Sequence, residues 1–71
     1  MTSERLSNTL KVHRAMQDWT QAELAERVGV TRKSINAIER GHFVPSTELA
    51  LRLAREFGVS VETLFRLPDE S

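Results

Sequence analysis

Apolar residues recur along this chain at helical spacing, and no stretch alternates as a half-buried strand would. The spacing predicts five helices. A first helix covers about Ser7 to Gln17, with Leu10, His13, Arg14 and Gln17 on one face. The second has a clear start, because Thr20 with Glu23 makes a capping box and Trp19 with Leu24 sits at the flanking staple positions. Leu24, Ala25 and Val28 form its buried stripe, and Gly29 stands where a helix takes a left-handed residue just past its end. The third helix follows almost at once. Thr31 caps it, Val30 and Ile35 form a second staple, and it ends at Arg40–Gly41. Val44 precedes Pro45, so the loop from His42 cannot continue as helix. Ser46 caps a fourth helix running to about Phe57, with Leu49, Ala50, Leu53, Ala54 and Phe57 facing inward and Gly58 as terminator. Ser60 caps a short fifth helix from Val61 to about Arg66, ahead of Pro68. The pattern predicts an all-α fold: one domain over residues 1–71, with its core at about 7–67.

The second and third helices are separated only by Gly29, Val30 and Thr31, so they must cross steeply, and Ala25 is small enough to let them approach. That is a helix-turn-helix over about residues 20–40, with the second of the pair exposed. At about 100° per residue, Ile35, Ile38, Ser34 and Glu39 fall on one side of this exposed helix. Arg32, Lys33, Asn36, Ala37 and Arg40 fall on the other. Those outer groups match the edges of DNA bases. Arg and Lys suit guanine O6 and N7, Asn suits adenine N6 and N7, and an alanine methyl suits the thymine methyl. Arg32 and Lys33 come early in the helix, where a recognition helix reaches bases.

Composition narrows the remaining classes. With 71 residues and no cysteine, disulfides, zinc–thiolate sites and thiol chemistry are excluded. No apolar run approaches the roughly 20 residues of a membrane helix, and Met1–Leu6 lacks a signal-peptide pattern. A soluble, cytoplasmic, nucleoid-associated protein is expected. Ten basic and ten acidic side chains cancel, which by itself argues against a nucleic-acid partner. The charges are unevenly spread, however. Arg27, Arg32, Lys33 and Arg40 stand in the middle of the chain against Glu39 alone, while Glu62, Asp69 and Glu70 make the end acidic against Arg66. No Gly-rich phosphate loop, HExxH or free thiol supports an enzyme, and Glu23, Ser46 and Ser60 are claimed by caps. No cofactor or small-molecule ligand is indicated. His13 and His42, without cysteine, make no metal signature.

Residues 8–65 resemble the lambda-repressor-like, Cro/C1-type (XRE) helix-turn-helix family. The matching stretches are 19–25 (WTQAELA), 28–31 (VGVT), 34–41 (SINAIERG), 45–46 (PS) and 57–60 (FGVS). The chain looks closest to the short, stand-alone bacterial members, and the resemblance implies a transcriptional regulator that reads double-stranded DNA. It assigns base reading to Arg32, Lys33, Asn36 and Ala37, and phosphate contacts to Gln21, Arg40, His42 and the Phe43 backbone. The amide ends of the second and third helices would face phosphates too, adding Thr31 and Ser34. Arg14 and Glu39 match a structural ion pair of the family. His13 stands where the family usually has a large apolar residue, and reads as a half-buried core histidine.

A single recognition helix reads only a few base pairs, so a homodimer on a palindromic operator is expected, acting as a repressor or autoregulator. Apolar side chains that do not fit the core mark its interface: Leu51, Val61, Leu64, Phe65 and Leu67, with Leu64 expected inward. Val12 and Met16 on the back of the first helix stay unassigned. Two other readings keep the same fold. One is an antitoxin-like or adaptor protein that holds a protein partner through its last helix and acidic tail. The other is a coactivator bridging DNA-bound factors to polymerase.

Overall fold

Among the described residues, four corners lie in the left-handed region of backbone space: Asp18 (φ 62°), Gly29 (φ 80°), Gly41 (φ 78°) and Gly58 (φ 70°). The computed structural model describes residues 6–68. The acidic residues Asp69 and Glu70 and the N-terminal stretch 1–5 lie outside the described residues. Element order is β1 (Ser7–Asn8), α1 (Leu10–Met16), α2 (Gln21–Val28), α3 (Arg32–Glu39), α4 (Thr47–Phe57), α5 (Val61–Leu64) and β2 (Phe65–Arg66).

The helix starts follow the caps read from the sequence. Thr20 accepts from the Glu23 N–H at 3.0 Å, and the Glu23 carboxylate accepts from the Thr20 N–H at 2.7 Å, so the capping box is complete. Thr31, Ser46 and Ser60 cap α3, α4 and α5 in turn. Gly29 closes α2 in a conformation that side-chain-bearing residues seldom adopt, and Arg52 Nη1 lies 3.4 Å from where a Cβ would stand. The same Arg52 atom donates to the Val28 carbonyl at 3.3 Å, tying α4 to the end of α2.

Both ends of the chain depart from the expected helices. Ser7 and Asn8 do not open α1. They pair antiparallel with Phe65 and Arg66, Ser7 opposite Arg66 and Asn8 opposite Phe65. Accordingly α5 is a single turn closing at Leu64, where Phe65 turns extended (φ −127°, ψ 137°). Two residues a side are too few to show a period of two, and half of each pair's hydrogen bonding comes from a segment almost sixty positions away. The fold is helical in all its packing layers, with this short ribbon drawing the two ends together.

Leu10, Leu24, Ile35, Ile38, Leu53 and Leu64 are the largest fully enclosed side chains, and they bring one residue or more from each of the five helices into a single core. Among the described residues no polar or charged residue is buried outright, and no buried side-chain polar atom lacks a partner. His13 is half-buried at the rim, as expected, its ring 5.7 Å from Phe57. Its Nδ1 lies 3.0 Å from the Thr9 carbonyl and 3.2 Å from Thr9 Oγ1, whose own proton goes to the Thr63 carbonyl. Both partners are acceptors there, so Nδ1 carries a proton.

Of the four corners, Asp18 alone is not a glycine. The Trp19 N–H donates to the Arg14 carbonyl at 3.0 Å across it, closing α1 in the way Gly29 and Gly58 close their helices. Replacing Asp18 by Gly removes the strain of a side chain in the left-handed region, and stability should rise by about 0.5–1 kcal/mol, a few degrees in Tm for a domain of this size. Asp18→Val should lower the midpoint instead. Thermal unfolding of the two variants measures both effects.

Candidate nucleic-acid interface

The turn Gly29–Thr31 sets α3 across α2, with Ile35 and Ile38 turned into the core. Arg32, Lys33 and Arg40 are exposed, and Asn36 and Ala37 are half-exposed on the same outer side. The expected division of the α3 wheel is therefore the observed one. Arg27 points elsewhere. Its guanidinium lies 3.9 Å over the Trp19 ring and pairs with Glu56 at 3.0 Å, so this cation braces the scaffold. Trp19 in turn packs 5.4 Å from Phe57.

A chain of polar side chains runs from the interior to this face. The Arg14 guanidinium grips Glu39 with two bonds, Nε to Oε2 at 2.8 Å and Nη2 to Oε1 at 3.2 Å, and donates a third to the Trp19 carbonyl at 3.0 Å. Only 15% of the Arg14 side chain and 6% of the Glu39 side chain are exposed. Hydrogen bonding to Glu39 raises the Arg14 pKa above its ordinary value. Burial works against the rise, and the charge of the same carboxylate adds to it. Glu39 Oε1 also accepts from the Gln21 amide at 3.0 Å. The Gln21 amide donates to Asn36 Oδ1 at 3.2 Å as well, and Gln21 Oε1 accepts from Arg32 at 3.3 Å. Gln21, Arg32 and Asn36 thus form one connected patch, oriented from below by a bidentate ion pair.

The two ends of α3 differ in what they leave free. At its start Thr31 Oγ1 accepts from the Ser34 N–H and donates to Ser34 Oγ, both at 3.1 Å. The Thr31 hydroxyl proton is therefore used within the cap, whereas the Ser34 hydroxyl keeps its own proton for an outside acceptor. At its end the Gly41 N–H donates to Ile38 at 3.0 Å and the His42 N–H to Ala37 at 2.9 Å, the double bond pattern of a glycine-closed helix. His42 and Phe43 follow on an exposed loop, and the Phe43 N–H has no partner among the described residues. Lys33 and Arg40 make no ion pair among the described residues.

The residues expected at an interface between copies separate into two groups. Leu64 has no exposed surface and Phe65 is only 8% exposed, because the single-turn α5 and the ribbon turn both side chains into the core. Leu64 thus lies inward, as expected, and Phe65 keeps only one edge on the surface. Leu51 and Leu67 are exposed and Val61 is half-exposed, and the three wall an open apolar hollow with Leu6, Pro45 and Ala50. Val12 and Met16 are exposed on α1. Two contributors escaped the sequence reading. The sequence counts Arg27 only among the cations in the middle of the chain, and places Asn8 in the first turn of a helix. Asn8 donates instead to the Ile38 carbonyl at 2.9 Å, a backbone partner that no residue pattern marks. Among the described residues no group of three or more His, Cys, Asp or Glu could hold a metal ion, and no helix is long and apolar enough to cross a membrane.

Comparison with known proteins gives one consistent result. A family model described as helix-turn-helix matches residues 10–64. An uncharacterised HTH-type transcriptional regulator of Methanocaldococcus jannaschii is 43% identical over 65 residues, covering 92% of this chain and 98% of that protein. YgzD of Bacillus subtilis, which carries the same description, is 41% identical over 66 residues, covering 93% of this chain and all of YgzD. Among solved structures, the N-terminal DNA binding domain of SinR from Bacillus subtilis superposes with a TM-score of 0.70 at 31% identity, covering 76% of this chain and 80% of that one. The relatives come from an archaeon as well as a bacterium, so the likeness is wider than the bacterial members alone.

Glu39→Gln keeps the shape of the carboxylate and removes its charge, leaving the Arg14 guanidinium enclosed without a counterion. The loss in stability should be about 3 kcal/mol, as for other broken buried pairs. Urea unfolding of Glu39→Gln against the parent protein measures it, and an unchanged midpoint would show that the pair contributes nothing.

Proposed function

The chain belongs to the Cro/C1-type helix-turn-helix family of transcriptional regulators, and from that premise we propose that it binds a palindromic operator as a homodimeric repressor. In this reading α3 enters the major groove of double-stranded DNA. The observation that carries it is the outer face of α3, where Arg32 and Lys33 at the leading end and Asn36 and Ala37 behind them stand clear of the core. Arg32, Lys33, Asn36 and Ala37 read bases. Their donors and methyl group match base edges, and the Gln21 amide already holds the Asn36 side chain in one orientation. Gln21, Ser34, Arg40, His42 and the free Phe43 N–H contact phosphates. Thr31 contributes its backbone, since its hydroxyl proton is engaged by Ser34. Zero net charge is no obstacle, because phosphates meet the local face and not the sum.

The second copy covers the hollow walled by Leu51, Val61 and Leu67. Leu67 is 80% exposed and Leu51 57%, and an apolar patch of this kind on a chain of 71 residues gains most from self-association. A two-fold pair presents its recognition helices about 34–36 Å apart, one turn of DNA, and a dimer seated on a promoter excludes polymerase from the same site. An antitoxin-like or adaptor role rests on the same hollow, covered by a different protein.

In vitro selection of bound DNA should return an inverted repeat with half-sites one turn apart. Arg32→Ala and Lys33→Ala should each lose about 5- to 150-fold in affinity for it, the equivalent of about 1–3 kcal/mol, and relax preference at one position of each half-site. Arg40→Ala should weaken binding to all sequences alike and reduce the salt slope by about one. Selection of no sequence, or unchanged affinity in both Arg32→Ala and Lys33→Ala, would overturn the recognition assignment. Leu51→Glu with Leu67→Glu should convert a dimer to a monomer in sedimentation. A parent protein that sediments as a monomer and co-purifies with one stoichiometric partner would favour the adaptor role.

A further inference from the structure

We propose that Asn8 is a positioning residue for α3, tethering the last turn of that helix to the terminal ribbon. The tether is a statement about the fold, and its effect on DNA rests on the recognition reading above. Asn8 is half-buried and uses both ends of its amide. Its Oδ1 accepts from the Leu10 N–H at 3.1 Å, opening α1, and its Nδ2 donates to the Ile38 carbonyl at 2.9 Å. That carbonyl belongs to the last turn of α3, where helix geometry leaves carbonyls without partners of their own. It already accepts from the Gly41 N–H at 3.0 Å, so Asn8 supplies the bond that comes from outside the helix.

The other side of Asn8 is equally fixed. Its backbone pairs with Phe65 in the ribbon, and the next residue donates twice to α5, the Thr9 N–H to Leu64 at 2.9 Å and Thr9 Oγ1 to Thr63 at 3.0 Å. A single residue thereby joins α1, the ribbon and the end of α3, its side chain reaching the two helices and its backbone the ribbon. The Arg14–Glu39 pair holds α3 against α1, and Asn8 holds it against the ribbon. Together with the Gln21 bonds from α2, these anchors on α1 and the ribbon hold the last turn of α3 in place, and with it Arg40 and the loop that begins at His42. Asparagine suits the task because its amide offers a donor and an acceptor on one short planar group without carrying a charge.

Asn8→Asp isolates the tether. It retains an acceptor for the Leu10 N–H, where a carboxylate at a helix start is favourable, and it removes the donor to Ile38. Three measurements are made on the full chain: the thermal midpoint, hydrogen exchange at the Gly41 and His42 amides, and affinity for the selected operator at two salt concentrations. The midpoint should stay within a few degrees of the parent. Exchange at Gly41 and His42 should quicken by about three- to ten-fold, the worth of one hydrogen bond. Operator affinity should fall by a similar factor with the salt slope unchanged, because no phosphate contact is lost. Unchanged exchange at both amides overturns the tether. An affinity loss that disappears when Asp18→Gly restores the midpoint overturns the positioning role, since Asn8 would then act through stability alone. If the parent protein selects no DNA, the recognition reading fails on that arm, and the exchange arm still decides the tether.

Discussion

A carboxylate with 6% of its side chain exposed cannot stand in a helical interior without a counterion, and the pairing of Glu39 with Arg14 is the constraint from which the working face follows. The pair is bidentate, so it sets an orientation as well as a distance. Because Arg14 also grips the Trp19 carbonyl, the same guanidinium fixes the entry to α2 and the end of α3. The Gln21 amide then reads the position of Glu39 and passes it to Asn36 and, through its carbonyl oxygen, to Arg32. Few of these bonds matter individually at a surface. Their value lies in continuity, since an exposed side chain whose partners are themselves fixed loses less freedom on meeting a ligand.

The hydrophobic core makes that arrangement possible and is otherwise plain. Each helix contributes at least one buried aliphatic side chain, with Leu10 alone from α1 and Leu64 alone from α5. Around the rim, Phe57 is flanked by His13 and Trp19, and Arg27 lies over Trp19 while pairing with Glu56. This brace joins α1, α2 and α4. It also explains how a chain with balanced charge presents a cationic surface: Arg14, Arg27 and Arg52 are neutralised by Glu39, Glu56 and Glu48, while Lys33 and Arg40 are unpaired among the described residues.

Membership of the helix-turn-helix regulators gives these features a common purpose. The apolar hollow at Leu51, Val61 and Leu67 and the cationic face of α3 are separate surfaces of one small domain and share no residue. The loop after α3 lines a second hollow, where Phe43, Val44 and Pro45 meet Leu6, Phe65 and Leu67, and Pro45 belongs to both.

The chain by itself determined whatever depends on neighbours within about five residues. The caps at Thr20, Thr31, Ser46 and Ser60, the breaks at Gly29, Gly41 and Gly58, and the inward and outward sides of α3 were all legible, because capping and helical periodicity are local rules. The Arg14–Glu39 pair was legible only through the family likeness. Tertiary structure alone decided the rest. Whether Arg27 faces DNA or Trp19, whether Phe65 is core or surface, and whether Ser7–Asn8 is helix or strand depend on partners far along the chain. The physical reason is the same in each case: a backbone carbonyl or an aromatic face is available everywhere in a sequence, and only folding selects the one that a side chain meets.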